Sequence, residues 1–174
     1  MTLDILDKGQ VDNESEEMRQ RREANIEKSP SPQFFKLRAE LLEQGRTNNI
    51  LADTGNLWLN LKVYAGGGEN GLHNHTQEDH MHIVMSGSAC FYGPRGEERH
   101  IGPLEGVSLP AGCYYRFNAT SEEPLVLLRV GAWLPPTDQP KRINIYGEPL
   151  TGESKENGQV EVIPRAGEYW GAPE

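Results

Sequence analysis

GLHNHTQEDHMHIVMSG, residues 71–87, holds four of the chain's five histidines within ten positions. The spacing inside it is two. His73 and His75 stand on alternate residues, as do His80 and His82, with TQED (76–79) between the pairs. Successive side chains of an extended chain point to opposite faces, so each pair projects two imidazoles to one side. Hairpin-like pairing of the two segments would bring those pairs together. Imidazole nitrogen is the commonest protein ligand for zinc, iron, nickel and copper, at about 2.0–2.1 Å. One isolated histidine would carry no such implication, but four on alternate positions beside a glycine-rich turn point to a metal. His82 either joins the set or only lines the pocket. Glu78 and Asp79 read as solvated loop carboxylates; the alternative, a ligand role for Asp79, has the wrong strand parity relative to His80. The competing assignment turns the rings outward, puts Met81, Ile83 and Met85 inside, and leaves no metal site.

Outward from this stretch the period stays at two. In LWLNLKVY (57–64), Leu57, Leu59, Leu61 and Val63 share one face, and Trp58, Asn60, Lys62 and Tyr64 the other, the pattern of a half-buried strand. AGGGENG (65–71) is a turn. HMHIVMSGSACFYG (80–93) reads as two strands broken near Ser86-Gly87. PRGEERHIG (94–102) holds a turn and a short polar strand. GVSLPAG (106–112), YYRFN (114–118) and PLVLLRVGAWL (124–134) supply three more. Short strands at steady spacing, with Gly and Pro between them, indicate an all-β sandwich or barrel.

The flanks are more polar. Residues 1–30 are charged and poor in apolar side chains, and MRQRREANIEK (18–28) reads as a solvated helix. Such a segment recovers little ordering entropy, so this arm is expected to be mobile or partner-dependent. In SPQFFKLRAELLEQG (31–45), Phe34, Leu37, Leu41 and Leu42 fall near helical spacing before Gly45, predicting one short helix. Past Pro135 only RINIY (142–146) and QVEVIP (159–164) look strand-like. Tyr169-Trp170 should fold back on its own barrel or pack on a second subunit. The expected division is an N-terminal arm with a short helix (1–55), a barrel (56–135) and a C-terminal extension (136–174).

The 174 residues carry 17 Lys and Arg against 26 Asp and Glu, a net charge of −9. That field repels a phosphate backbone, so nucleic-acid binding is disfavoured. No run approaches the ~18 apolar residues of a membrane span, and MTLDILDKGQVDNESEE lacks a signal-peptide pattern. A cytoplasmic protein without a membrane partner is expected. Cys90 and Cys113 make neither a disulfide framework nor a zinc ribbon.

At the histidine stretch the sequence resembles the cupin superfamily. That family's first motif runs Gly, five residues, His-x-His, three or four residues, Glu, six residues, Gly. Here His73-Asn74-His75 is followed by four residues, His80, six residues and Gly87, so His80 stands in the place of Glu. Ala65 to Gly68 supply the front Gly only approximately. The second motif runs Gly, five residues, Pro-x-Gly, two residues, His, three residues, Asn. Pro110-Ala111-Gly112 is intact, while Leu104 replaces the Gly, Tyr115 replaces the His, and Asn118 comes one residue early. The match covers roughly residues 57–134. It implies an antiparallel jelly-roll β-barrel, commonly dimeric, with a metal inside. Carried over by position, the ligands become His73, His75 and His80, with Tyr115 at the fourth position. Facial three-histidine sites of this kind resemble those of cupin-type thiol and diketone dioxygenases.

Three neutral imidazoles would leave a divalent ion at +2, which favours an anionic or chelating substrate. Tyr115 is either a phenolate ligand, a neutral phenol acting on substrate as hydrogen-bond donor or acid/base, or a ring filling space. Cys113, two residues earlier, faces the same way on an extended strand and is placed in the pocket, although buried inert cysteine is the commoner role. Arg129 either points inward, where it could bind a carboxylate bidentately, or covers the sheet from outside. Arg116 and His100 are expected on the surface. With histidines inward, Met81, Ile83 and Met85 form an outward apolar stripe that needs covering, by a second subunit, the N-terminal helix or the C-terminal tail. A homodimer is expected. The function expected is a metal-dependent enzyme on a small anionic or oxygen-chelating molecule. Iron would suit dioxygenation; Zn, Ni or Mn would suit Lewis-acid isomerisation or elimination. The alternatives are a binding module without chemistry and a barrel whose metal serves stability alone.

Overall fold

In the computed structural model the described residues are 14–67, 70–152 and 160–173. The charged stretch before the first proline forms one helix, α1 (Glu16–Glu27), in a compact unit separate from the rest. The Ser15 side chain caps it by accepting the Met18 backbone N–H. Pairs Glu16–Arg19 and Glu17–Arg21 tie its exposed turns at the spacings that meet on a helix surface. No residue of α1 is buried, which matches the solvated helix expected at 18–28; residues 1–13 of the arm lie outside the described residues. No helix is long and apolar enough to cross a membrane among the described residues.

The second unit begins at Phe34 and is built of strands. They are β1 (Arg38–Asp53), β2 (Leu57–Ala65), β3 (His73–His75), β4 (Glu78–Ser86), β5 (Ala89–Tyr92), β6 (Glu98–Ile101), β7 (Gly106–Leu109), β8 (Arg116–Ala119), β9 (Leu125–Trp133), β10 (Arg142–Asn144) and β11 (Ile163–Gly171). The large sheet has the order β11-β1-β2-β9-β4-β7, a second sheet the order β6-β5-β8, and β10 pairs with β3. Every one of these pairings is antiparallel. The all-β class expected from the period of two is the class observed, and its antiparallel sheets fit the jelly roll that the family resemblance implied.

The helix expected within 31–45 is absent; from Arg38 that segment is strand β1. The cause is visible in the burial. Ala39, Leu42 and Gly45 are buried at intervals of three. The β1–β11 ladder shifts register between Glu40 and Leu42 and again between Leu42 and Gln44. Bulges add residues that break strict alternation; of the four apolar residues at helical spacing, Phe34 and Leu37 precede the strand, and Leu42 alone is buried.

Two cores hold the unit together. Tyr64, Val84, Leu125 and Leu127 of the large sheet meet Ala89, Phe91 and Phe117 of the second sheet. Tyr64 meets Phe117 edge-on with centroids 5.0 Å apart. On the opposite face of the large sheet, Leu61, Val63 and Val126 pack with Ala39 and Leu42 of β1, and Met85, Leu128 and Trp170 join them. Trp170 therefore folds back on its own chain. Tyr169 lies under the Arg38 guanidinium, 4.0 Å from ring centroid to carbon. Gly87 turns the chain from β4 into β5 at φ +75, where a Cβ would stand 3.0 Å from the Pro124 carbonyl oxygen.

Candidate metal centre

β4 presents Glu78, His80 and His82 to one face, and all three are buried. β3 brings His73 and His75. The two histidine segments do not pair as a hairpin, contrary to expectation. β3 pairs with β10, and His73 bridges to Tyr115 through two backbone hydrogen bonds of 3.1 and 2.9 Å. β4 pairs with β7 and β9. The rings converge from different sheets, with His75 and His80 centroids 4.9 Å apart.

Glu78 is the correction with the largest consequence. It is a buried carboxylate at the first position of β4, not a solvated loop residue. Its Oε1 lies 2.8 Å from His75 Nδ1 and 3.5 Å from His80 Nδ1. The same oxygen takes a hydrogen bond from the Arg129 guanidinium. The parity signal was present in the sequence, because Glu78, His80 and His82 alternate. Reading β4 as starting at His80 hid it. Asp79 points the other way and accepts the Ala111 backbone N–H at 2.8 Å.

One ligand atom each from His75, Glu78 and His80 lies within 4.8 Å of the others. Ligands sharing an ion at about 2.0–2.2 Å stand on the order of 3–3.5 Å apart; the two Glu78 Oε1 distances are close to that size, and the group could hold a single cation. Metal-binding histidine must be neutral, and burial keeps these rings so. It lowers the pKa of His75, brings that of His80 to about 3, and pushes His82 well below its ordinary value. Burial opposes the Glu78 carboxylate, but the His75 hydrogen bond and the Arg129 charge prevail and hold its pKa at about 2. Neither ring nitrogen of His82 has a hydrogen-bond partner among the described residues.

His73 is buried on the same wall. Its Nδ1–H donates to the Gly71 carbonyl oxygen at 2.7 Å, and burial lowers its pKa to about 2. That bond leaves Nε2 with the lone pair. Tyr115 is buried, its hydroxyl 3.1 Å from His80 Nε2. Burial pushes the phenol pKa up, so the neutral phenol is the resting form. Arg129 points inward and lies 4.6 Å over the Trp58 ring. Gly131 makes room for that ring, since a Cβ there would stand 2.1 Å from Trp58 Cζ2. Cys113 does not line the cavity on which the histidines open. It is exposed, because the Pro110–Cys113 turn replaces the extended conformation on which its parity depended. Cys90 is buried, His100 is exposed, and Arg116 stacks on Tyr92 at 3.9 Å.

His73, His75, His82 and Tyr115 open on a cavity of about 400 Å³. Arg46, Lys62, Arg129 and Arg142 line it too. Sequence reasoning singled out only Arg129 of these four; the others sit on β1, β2 and β10, outside the motif that drew attention. Residues 60–131 match the family model described as "Cupin domain".

Over those residues the chain is similar to a cupin domain. Among curated proteins nothing matches. The chain is similar in structure to a cupin superfamily protein from Desulfitobacterium hafniense, at 15% identity and TM-score 0.48, covering 56% of this chain and 84% of that one. It is similar to the Cnp3 cupin domain of Schizosaccharomyces pombe, at 14% identity and TM-score 0.47, covering 53% and 67%. It is also similar to KdgF from Halomonas sp., at 22% identity and TM-score 0.46, covering 54% and 82%.

Proposed function

We propose that this cupin-like domain is a mononuclear metal enzyme. One divalent transition metal is held by His75, Glu78 and His80, and a small oxygen-bearing organic molecule is bound beside it in the cavity. The observation that carries this is the shared Glu78 Oε1 between two buried imidazoles. Two histidines and one carboxylate form the donor set that suits non-haem iron in oxygenases, so dioxygenation on iron is the first reading. When bound, the metal supplies Lewis-acid polarisation of an oxygen ligand, or the site for dioxygen chemistry.

The chain's own residues set the conditions. Burial keeps the imidazoles uncharged, and Arg129 and His75 keep Glu78 ionised. With Nδ1 of His80 turned to a cation, its Nε2–H faces the Tyr115 oxygen, which fixes the ring. His73, its Nδ1 occupied by Gly71, offers Nε2 as a further donor; such outer hydrogen bonds orient ligating histidines. A Lewis-acid isomerase or lyase is the second reading, favoured by the neutral Tyr115 phenol beside the group, placed to exchange a proton with substrate.

Elemental analysis of protein purified without added metal, paired with dioxygen uptake on adding small thiols or diketones, tests the assignment. Stoichiometric iron with oxygen consumption supports the first reading. Zinc or manganese without oxygen consumption moves the assignment to the second. Failure to bind any divalent metal overturns both.

A further inference from the structure

The inner face of the large sheet carries a diagonal of cations. Arg129 on β9 stands opposite Asn60 of β2; Lys62 comes two residues later, opposite Asn48 of β1; Arg46 stands two residues before Asn48. Diagonal neighbours on one sheet face lie about 7–8 Å apart, within reach of long side chains. Arg142 of β10 opens on the same cavity. Four cationic side chains thus line about 400 Å³ in a chain whose net charge is −9. No Asp or Glu lines that cavity among the described residues.

The partners differ. Arg129 pairs with Glu78, and Arg46 donates to the Gly152 carbonyl oxygen. Lys62 has no carboxylate against it among the described residues; its ammonium lies 5.6 Å from the Tyr64 ring centroid. Burial pushes its pKa down, and the charges of Arg129 and Arg46 add to the effect. An ammonium taken out of water is costly unless an anion meets it. Arginine forks grip carboxylates or phosphates bidentately, and lysine adds a point charge.

We propose that the cavity takes a small organic dianion, one oxyanion group seated on Lys62 with Arg46 and Arg142 beside it, the other end facing His75, the one member of the proposed metal group that lines the cavity. The orientation rests on the metal-centre reading; the oxyanion seat does not.

The test is calorimetric titration of the full chain with succinate, butyrate, glycerol phosphate and butane-1,4-diol, each in EDTA and again with manganese(II). Succinate should bind at least about tenfold more tightly than butyrate, and the diol should not bind. Lys62→Gln should lose at least about tenfold of the succinate affinity while Lys62→Arg retains it. Glycerol phosphate outcompeting succinate keeps the seat and names its anion as a phosphate. Equal binding of the diol, or an unchanged dianion preference in folded Lys62→Gln, overturns the proposal. Should Lys62→Gln not fold, the wild-type comparison of succinate with butyrate and diol decides alone. Manganese binding without dianion preference sinks the seat and spares the metal centre; dianion binding in EDTA without manganese binding does the reverse.

Discussion

His75 Nδ1 and the Arg129 guanidinium meet on a single atom, Glu78 Oε1, with the imidazole 2.8 Å away. A buried carboxylate with one cationic partner is poised between that partner and any metal ion that arrives. Removing one member of a buried pair typically costs about 3–5 kcal/mol, because it strands the other charge. Arg129→Met should therefore destabilise the metal-free protein by about that amount. Added zinc or manganese should restore more stability to the variant than it adds to the wild type, since the cation replaces the lost guanidinium. Thermal unfolding of both proteins in EDTA and in metal checks this. Equal metal-induced shifts would separate Glu78 from the metal.

Substitution of the donors should empty the site in a graded way. His75→Ala, His80→Ala and Glu78→Gln each remove one of the three converging atoms and should drop metal content by tenfold or more, on the order of what loss of an inner ligand or its close support costs. Tyr115→Phe should keep the metal, since its hydroxyl touches His80 Nε2 rather than the Nδ1 that faces Glu78. Metal measured by mass spectrometry after dialysis distinguishes these cases. A Tyr115→Phe protein stripped of metal would place the phenol among the ligands.

The strand pattern was legible because β2 and β4 alternate residue by residue and β9 is a long apolar run, its two faces set against the two cores. His75 and His80 were legible for the same reason. Glu78 was not, although it obeys the same parity, because TQED looked like a polar loop until Glu78 and Asp79 proved to be the first two residues of β4. β1 was misread because Phe34, Leu37, Leu41 and Leu42 fall near helical spacing, although the first two precede the strand and only Leu42 of the four is buried. The cavity's cations could not be found from any local motif. Arg46, Lys62 and Arg142 come from three strands, and only the registers of β1, β2 and β9 put the first two on one diagonal with Arg129.

Acid should unfold the metal-free protein earlier than its carboxylates alone would. The ordinary histidine value is 6.5, and burial lowers it to about 2 in His73 and about 3 in His80. His75 and His82 shift in the same direction. Above pH 6.5 folded and unfolded chains bind the same protons at these rings, so they contribute nothing. Below it the unfolded chain takes up protons that the folded one refuses, and stability falls at up to about 1.4 kcal/mol per pH unit for each ring. Glu78, held at about 2 against an ordinary 4.5, adds a further loss below pH 4.5. Urea midpoints in EDTA should decline steeply from pH 6.5 to 5, and less so in a His82→Phe variant. A flat profile would mean the rings are charged and solvated in the folded state.

The Trp58 ring sits where a side chain on Gly131 would be, and it carries Arg129 on its face. Gly131→Ala should force the ring aside and cost about 1–3 kcal/mol by overpacking. It should also loosen Arg129 from Glu78, so metal content and stability fall together. Calorimetric unfolding with parallel metal analysis reads both. A Gly131→Ala protein as stable as wild type would show that the ring has room to move.

Trp170 and β1 cover the Met85 end of the outer face of the large sheet, but they leave its other end open. Met81 is 43% exposed and Leu57 52%. In register, Leu59, Val130 and Met81 form one row across β2, β9 and β4. An apolar row of this kind is what a second subunit would cover, and we propose that two copies of this chain associate there. Met81→Glu would place a charge at the centre of a two-fold contact facing its own copy. Size-exclusion chromatography with light scattering should then give twice the chain mass for wild type and the single mass for Met81→Glu, with metal content unchanged because Met81 points away from the histidines. A monomeric wild-type protein would leave the row exposed to solvent and remove the dimer.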